Sequence, residues 1–211
     1  MPLDLKVVEK IEFRIAPIPQ IMREKIETVI IRERIKFTIV SAVAANTDVA
    51  MAISKSVHEV LQKMPGSENT GRQVTALTIA VASGAIGGAI KTGCDLELAA
   101  QGLVVGILRG TLLVGSEVVD TITRTAGIVI TAVVESEGDL QSAATGLVRG
   151  AIHGAKGIGI NIQDAADAGA AGALNAVGDV RSTAYQAILA AITQPIDGIT
   201  VAPKVPTISL N

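Results

Sequence analysis

The chain has 211 residues, of which 49% are hydrophobic, and a formal net charge of −2 at pH 7. Its mean hydropathy of +0.49 excludes a disordered polar chain, and its few aromatic residues and lack of a dense Lys/Arg run argue against nucleic acid as a partner. The single cysteine, Cys94, excludes an intrachain disulfide framework and a cysteine-based zinc site.

Both ends of the chain are predicted to be extended arms. Residues 1–20 contain the alternating segment IEFRI at 11–15, typical of a short strand, ahead of two prolines, and residues 195–211 carry the apolar segment 199–201 between prolines. Because a lone strand is unstable without a partner, we expect short extended or β arms that join neighbouring copies. The N-terminus lacks the basic start and apolar run of a signal peptide, so we expect a cytoplasmic protein, either free or peripheral to a membrane or granule.

Residues 21–66 are predicted to form an amphipathic helical segment that ends in a turn. The helical pattern runs from Ile21 to about Met64, and the sequence PGSEN at 65–69 is a turn signal. The glycine spacing of residues 66–73 is that of a phosphate-binding loop. However, Arg72 and Gln73 stand where that loop needs Lys followed by Ser or Thr, so we interpret these residues as a turn.

Residues 67–194 form a Gly/Ala-rich repeat region, in which five blocks of 22 residues begin at positions 84, 106, 128, 150 and 172. The twelfth position of the block is polar: Asp95, Glu117, Asp139, Asn161 and Thr183. The thirteenth position is apolar: Leu96, Val118, Leu140, Ile162 and Ala184. Twenty-two residues are two elevens, which close after six helical turns at about 3.67 residues per turn. The sequence therefore predicts an all-α fold of long antiparallel Gly-rich helices, two to four in this region.

Glycines in this region recur at helical spacing and define the candidate helix-packing and assembly residues. The tracks Gly102/Gly106/Gly110 and Gly146/Gly150/Gly154 fall at i, i+4 and i+8, on one edge of a helix. Such tracks let two helix backbones approach closely, so that dispersion contacts replace the missing side chains. The full set of predicted packing residues is Gly88, Gly102, Gly106, Gly110, Gly146, Gly150, Gly154 and Gly172.

The charged residues of the repeat region predict one narrow solvated stripe. Ten of the 16 charged residues between positions 84 and 193 fall on five positions of the repeat, and the rest of the helix circumference is apolar or small. This arc exceeds the roughly 100° stripe that suffices for a helix packed on one core. We therefore expect either extensive self-association or an apolar surface such as lipid under the helices.

No residue cluster in the sequence predicts a reaction, a cofactor site or a metal site. His58 and His153 lack a second His or Cys at ligand spacing, and we expect His153 to be solvated. Glu135, Glu137 and Asp139 could bind a cation weakly, but we interpret them as part of a solvated face. The glycine-rich run at 154–159 sits inside the repeat and not after a strand, so it does not predict a dinucleotide site. The uncharged run 73–90 is at the lower limit of a membrane span, and we expect a packed helix there.

The tracks GAIGGAIKTG (84–93), GLVVGILRG (102–110), GLVRGAIHGAKGIG (146–159) and GALNAVGD (172–179) resemble those of bacterial small-residue repeat proteins. More distantly, they are similar to the 11-residue repeats of late-embryogenesis and lipid-droplet coat proteins. The resemblance is one of period and composition. From the glycine tracks and the apolar faces we predict a non-enzymatic protein that self-assembles into a homo-oligomer, shell or filament. Two alternatives stay open: an amphitropic, phasin-like coat of a membrane or hydrophobic granule, and a small-molecule enzyme.

Overall fold

The computed structural model describes residues 20–62, 70–114 and 117–201, and these residues form eight α-helices and no strand. In chain order the helices are α1 (Gln20–Ala44), α2 (Val49–Gln62), α3 (Thr70–Thr92), α4 (Leu96–Val114), α5 (Val118–Glu135), α6 (Leu140–Ile158), α7 (Ile162–Val177) and α8 (Thr183–Ile192). The predicted all-α class is thus confirmed for the described residues.

The helices stack in two layers. The odd-numbered helices α1, α3, α5 and α7 lie side by side in one layer, and α2, α4, α6 and α8 form the other. Consecutive helices lie in opposite layers, and neighbours within a layer are two helices apart in sequence. These neighbours run parallel: along α4, Gly102 meets Ala50 of α2 and Gly106 meets Ser54. Large aliphatic side chains fill the interior of this array. The largest fully buried ones are Ile35, Ile39, Ile53, Ile86, Leu103, Ile107, Leu108, Ile122, Ile130, Leu147, Ile152 and Ile188.

Each 22-residue block corresponds to one helix and one turn. The helices α4 to α7 begin 22 residues apart, at Leu96, Val118, Leu140 and Ile162. The prediction of two to four long helices was therefore wrong, since α3 to α8 are six helices. The period comes from the length of one helix with its turn and not from a continuous 11-residue helical repeat.

In the three blocks that begin at 84, 128 and 150, two chemical signals end one helix and start the next. At the tenth position the backbone is left-handed, with φ of 67° at Gly93, 53° at Glu137 and 75° at Gly159, which stops the preceding helix. At the twelfth position of these blocks a polar side chain, from Asp95, Asp139 or Asn161, caps the following helix. Asp139, for example, accepts hydrogen bonds from the backbone amides of Gln141 and Ser142 at 2.9 and 3.3 Å.

The same chemistry divides the segment predicted as a single helix from Ile21 to Met64. Asn46 adopts a left-handed φ of 52° after α1, and Asp48 then accepts a hydrogen bond from the amide of Met51 at 2.9 Å at the start of α2. The prediction of one helix was wrong here. The predicted turn at 65–69 and the predicted strand at 11–15 lie outside the described residues.

The C-terminal arm is not extended where the structure describes it. Residues 196–199 form a tight turn, in which Ile196 and Ile199 exchange two backbone hydrogen bonds of 2.9 Å, and no strand forms at 199–201. Ile196 and Val201 are buried, each 3% exposed, against the helices of the same chain. The first part of the predicted arm is therefore docked on its own subunit.

One helical segment among the described residues, Val74–Thr92 in α3, is long and apolar enough to cross a membrane. In this structure α3 lies between α1 and α5, and 56% of that apolar window is buried inside the protein. Buried core helices of globular proteins commonly have this length and composition.

The cap at Asp139 gives a prediction with a defined pH dependence. The hydroxyl of Ser142, aided by backbone amides and opposed by partial burial, holds the pKa of the Asp139 carboxyl below its usual range. Asp139→Ala should lower the free energy of unfolding by about 1 kcal/mol at pH 7. Because the folded-state pKa is depressed, the charge-dependent stabilisation is present above the unfolded-state pKa and is lost as pH falls through the folded-state pKa.

Urea denaturation followed by circular dichroism, over the acid range in which the protein stays folded, measures this effect. Asp139→Asn retains an acceptor oxygen and should lose only the charge-dependent part. A deficit of Asp139→Ala that does not shrink on acidification would contradict the account.

Candidate helix-packing and assembly site

The predicted glycines of α4 lie against the backbone of α2. A Cβ atom at Gly106 would lie 2.7 Å from the carbonyl oxygen of Ser54 and 2.8 Å from Cβ of Val57. Gly102 contacts the carbonyl of Ala50 in the same way, and Gly110 lies against the side chain of Leu61. Real Cβ atoms do not approach a carbonyl oxygen so closely, so a side chain at Gly102 or Gly106 would force the two helices apart.

The same arrangement recurs between the next pairs of parallel helices. A Cβ atom at Gly150 on α6 would lie 2.8 Å from the carbonyl oxygen of Gln101 on α4. The remaining predicted glycines occupy equivalent places: Gly146 against Glu97, Gly154 against Leu108, Gly172 against Thr123, and Gly88 against Lys36 and Ile39. All eight predicted packing residues therefore lie at contacts between helices two apart in sequence.

These contacts occupy the glycine tracks within one chain. On α6, the buried set spans most of the helix circumference: Ala143, Ala144, Gly146, Leu147, Val148, Gly150, Ala151, Ile152, Gly154 and Ala155. Each internal helix meets a parallel neighbour on either side and the opposite layer below. The wide apolar arc is thus buried largely within the described part of one chain.

Charged side chains collect at the helix ends instead of forming one stripe along a long helix. Asp95, Asp139 and Asn161 cap helix N-termini, and Lys91 and Lys156 lie in the last turns of α3 and α6. The regular spacing of charges in the sequence arose because the turns recur every 22 residues. The predicted single stripe was therefore wrong.

Polar side chains hold the C-terminal segment against α6. This cluster was not predicted from the sequence. Asp197 accepts from Arg149 Nε at 3.2 Å and lies 2.7 Å from His153 Nε2. The other partners extend to α4: Arg149 also pairs with Glu97, and His153 Nδ1 lies 3.0 Å from Gln101 Nε2. His153 is thus a bridging residue and not simply a solvated one. No local pattern in the sequence signals contacts between residues 48 or 52 positions apart.

The surface of the described residues includes a concavity between α1, α3 and α5, with Arg32, Glu33, Lys36 and Glu135 in its lining. A groove of about 510 Å³ runs along α5 between α3 and α7, with Ile79, Gly127 and Ile128 in its lining and Arg124 and Glu135 among its polar residues. Within the described ranges, no group of three or more His, Cys, Asp or Glu side chains is placed to hold a metal ion. The acidic cluster at 135–139 lies at the turn between α5 and α6.

Cys94 is half-buried in the turn before α4 and has the properties of a structural cysteine. Burial, and secondarily the carboxylate of Asp95, raise the pKa of its thiol. A thiol with a raised pKa is protonated at neutral pH and is a poor nucleophile.

Helix α1, at the N-terminal edge of the array, is apolar on two sides. Its inward side is buried through Ile35, Ile39 and Ala42. Its outward side exposes five large apolar residues, of which Phe37 is 71% exposed and Ile30 60% exposed. We call these five the α1 outer face: Val29, Ile30, Phe37, Val40 and Val43.

Comparisons of the chain with protein-family models, curated proteins and solved structures found no match. Function therefore has to be argued from the surfaces of this chain.

The close contact at Gly106 predicts an unusual response to alanine. Gly106→Ala should lower the free energy of unfolding by about 1–3 kcal/mol, because the methyl group meets backbone atoms of α2 that cannot move independently. The matched control is Gly87→Ala in α3, where an added Cβ meets no described atom within 4 Å. That change should raise stability by up to about 1 kcal/mol through helix propensity alone. Thermal and urea unfolding compare the two variants, and equal stabilisation by both would refute close contact at Gly106.

The Asp197 cluster predicts a locally released C-terminal segment when its charge is removed. Asp197→Asn preserves size and tolerates the left-handed φ of 51° at this position. It should increase hydrogen exchange at the Ile196 and Ile199 amides while leaving the amides of α4 unchanged. Because the ion pairs are partly exposed, the cost in global stability should stay below about 1 kcal/mol. Asp120→Asn, at an exposed position of α5, is the control, and equal exchange in the two variants would disprove the role of Asp197 in holding the segment.

Proposed function

We propose that this protein is a non-enzymatic structural protein that self-assembles into a homo-oligomer or scaffold in the cytoplasm. In this proposal the glycine contacts build a rigid subunit, and copies join through surfaces that the subunit leaves open. The polar groups of the α5 groove do not include a nucleophile with an oriented base, which is why the small-molecule enzyme stays the third alternative.

The observation that carries the proposal is the α1 outer face. Large apolar side chains on a helix are normally turned toward a core, and stacked-helix proteins usually end in an element whose outer side is polar. α1 instead buries Ile35 and Ile39 and leaves Phe37 71% exposed on the opposite side. Contiguous exposed apolar surface of this kind marks an interaction site.

The opposite end of the array makes a useful contrast. The outward positions of α7 include Asp164, Asp167 and Asn175, and no large apolar residue of α7 or α8 is exposed in the described chain. The C-terminal segment also covers α6 there. The subunit therefore has one closed, polar end and one open, apolar end.

The alternative is an amphitropic coat on lipid or a hydrophobic granule. The specific observation that favours it is the position of Arg32 and Lys36 beside the exposed apolar residues of α1. A helix with apolar residues and neighbouring cations can lie in a membrane interface.

Substitution of Phe37 distinguishes self-assembly from the coat alternative. Phe37→Glu should convert the oligomer to a monomer in light scattering, while far-UV circular dichroism stays unchanged because the side chain is exposed. Met51→Glu on α2 is the matched control, since Met51 is 68% exposed outside the α1 outer face. A wild-type protein that is monomeric at high micromolar concentration would refute self-assembly. Its flotation with liposomes, abolished by Phe37→Glu, would support the coat alternative.

A further inference from the structure

A stripe of α1 that includes two residues of the α1 outer face has the spacing of a coiled-coil seam. Val29, Glu33, Lys36 and Val40 follow each other at intervals of four, three and four residues, so their side chains form one stripe along the helix. Val29 and Val40 are 49% and 37% exposed. The side chains of Glu33 and Lys36 are 55% and 34% exposed, and both residues line the edge of a concavity that α1 shares with α3 and α5. All four side chains of the stripe are therefore partly accessible.

This stripe is self-complementary when two copies run antiparallel. A two-fold axis midway between residues 34 and 35 places Val29 opposite Val40 of the partner subunit. The same axis places Glu33 opposite Lys36 of the partner subunit, so two oppositely charged pairs form at the centre with apolar pairs outside them. Ile30 and Phe37 lie on one side of the stripe, where they pack against the same two residues of the partner subunit. A parallel pairing would place Glu33 against Glu33 of the partner subunit, which is repulsive.

The two different ends of the array favour this closed pairing over a filament. Head-to-tail stacking would place the apolar α1 outer face against the polar α7 side, where Asp164 and Asp167 are located. In an isologous contact both copies contribute the same surface, so the α1 outer face of one copy packs on the α1 outer face of the other. The covered C-terminal ends then face away from the contact.

We propose that the partner of the α1 outer face is a second copy of this chain, bound as an antiparallel α1–α1 helix pair with Glu33–Lys36 pairs across the two-fold axis. This inference rests on the proposed self-assembling function and specifies its contact. The 25-residue α1 is about 37 Å long, so the helix pair buries less than a standard interface and a micromolar dissociation constant is expected.

Charge reversal in the full-length protein tests the pairing. Glu33→Lys and Lys36→Glu should each weaken dimerisation about tenfold or more in sedimentation equilibrium, since each replaces two attractive pairs by two repulsive ones. The double variant Glu33→Lys/Lys36→Glu should recover the wild-type dissociation constant. Mixing the two single variants should restore association as a heterodimer, because the two lysines at positions 33 and 36 of one subunit then lie opposite the two glutamates at these positions of the other. Unfolding curves of the variants control for the contact between Glu33 and Lys36 within one helix, which is 3.9 Å long.

Cysteine cross-linking tests the register independently, in a Cys94→Ser background. A mixture of Val29→Cys and Val40→Cys proteins should form a disulfide-linked heterodimer under mild oxidation. Neither variant should cross-link with itself, because antiparallel copies of one position are about 16 Å apart along the axis, beyond the reach of a disulfide.

The outcomes distinguish this inference from the proposed function. An oligomer that ignores the charge reversals, or that cross-links through Val29→Cys alone, overturns the antiparallel pair and leaves self-assembly standing. A monomer overturns both. In a monomer, slow maleimide labelling of Phe37→Cys shows that the chain's own residues cover the face, and fast labelling with binding to phosphatidylcholine/phosphatidylglycerol vesicles shows that lipid does.

Discussion

The architecture depends on backbone-to-backbone contact between parallel helices of the same layer. At Gly106 and Gly150 the next helix approaches to a distance at which any side chain would collide with a carbonyl oxygen. Glycine costs an isolated helix about 1 kcal/mol relative to alanine. The dispersion contacts and buried apolar area gained at the close approach offset this cost. The helices are therefore weak in isolation and are stabilised by packing against their neighbours.

The all-α class could be predicted from the sequence, whereas the number of helices could not. Period and composition indicated helices, but the same 22-residue spacing fits both a continuous helix and a helix with its turn. Two residues, Glu137 and Asp139, decide between a continuous helix and a helix with its turn. Glu137 has an unremarkable side chain on a left-handed backbone, and Asp139 is a helix cap that resembles one member of a charged stripe.

Contacts between distant residues limited the prediction of the site. Gly87 and Gly106 look equivalent in sequence, yet only Gly106 has a neighbouring helix at its Cβ position. His153 meets Asp197 because the turn at 196–199 folds back on α6. The two-sided apolar character of α1 is visible in the sequence, but which side remains exposed depends on where α3 packs.

The stacking order also determines how the chain folds and how it can vary in length. Among the described residues, every helix touches only helices one or two places along the chain. Contacts between helices therefore join residues no more than about two or three blocks apart in the chain, as Gly106 and Ser54 do. Each helix is stabilised by the interfaces with its neighbours in the stack, as in repeat proteins, so unfolding can begin at either end. The array can change in length by pairs of consecutive helices, each pair corresponding to two 22-residue blocks. Whole hairpins can be added or lost in the middle of the array while the closed C-terminal end and the open α1 edge keep their separate surfaces.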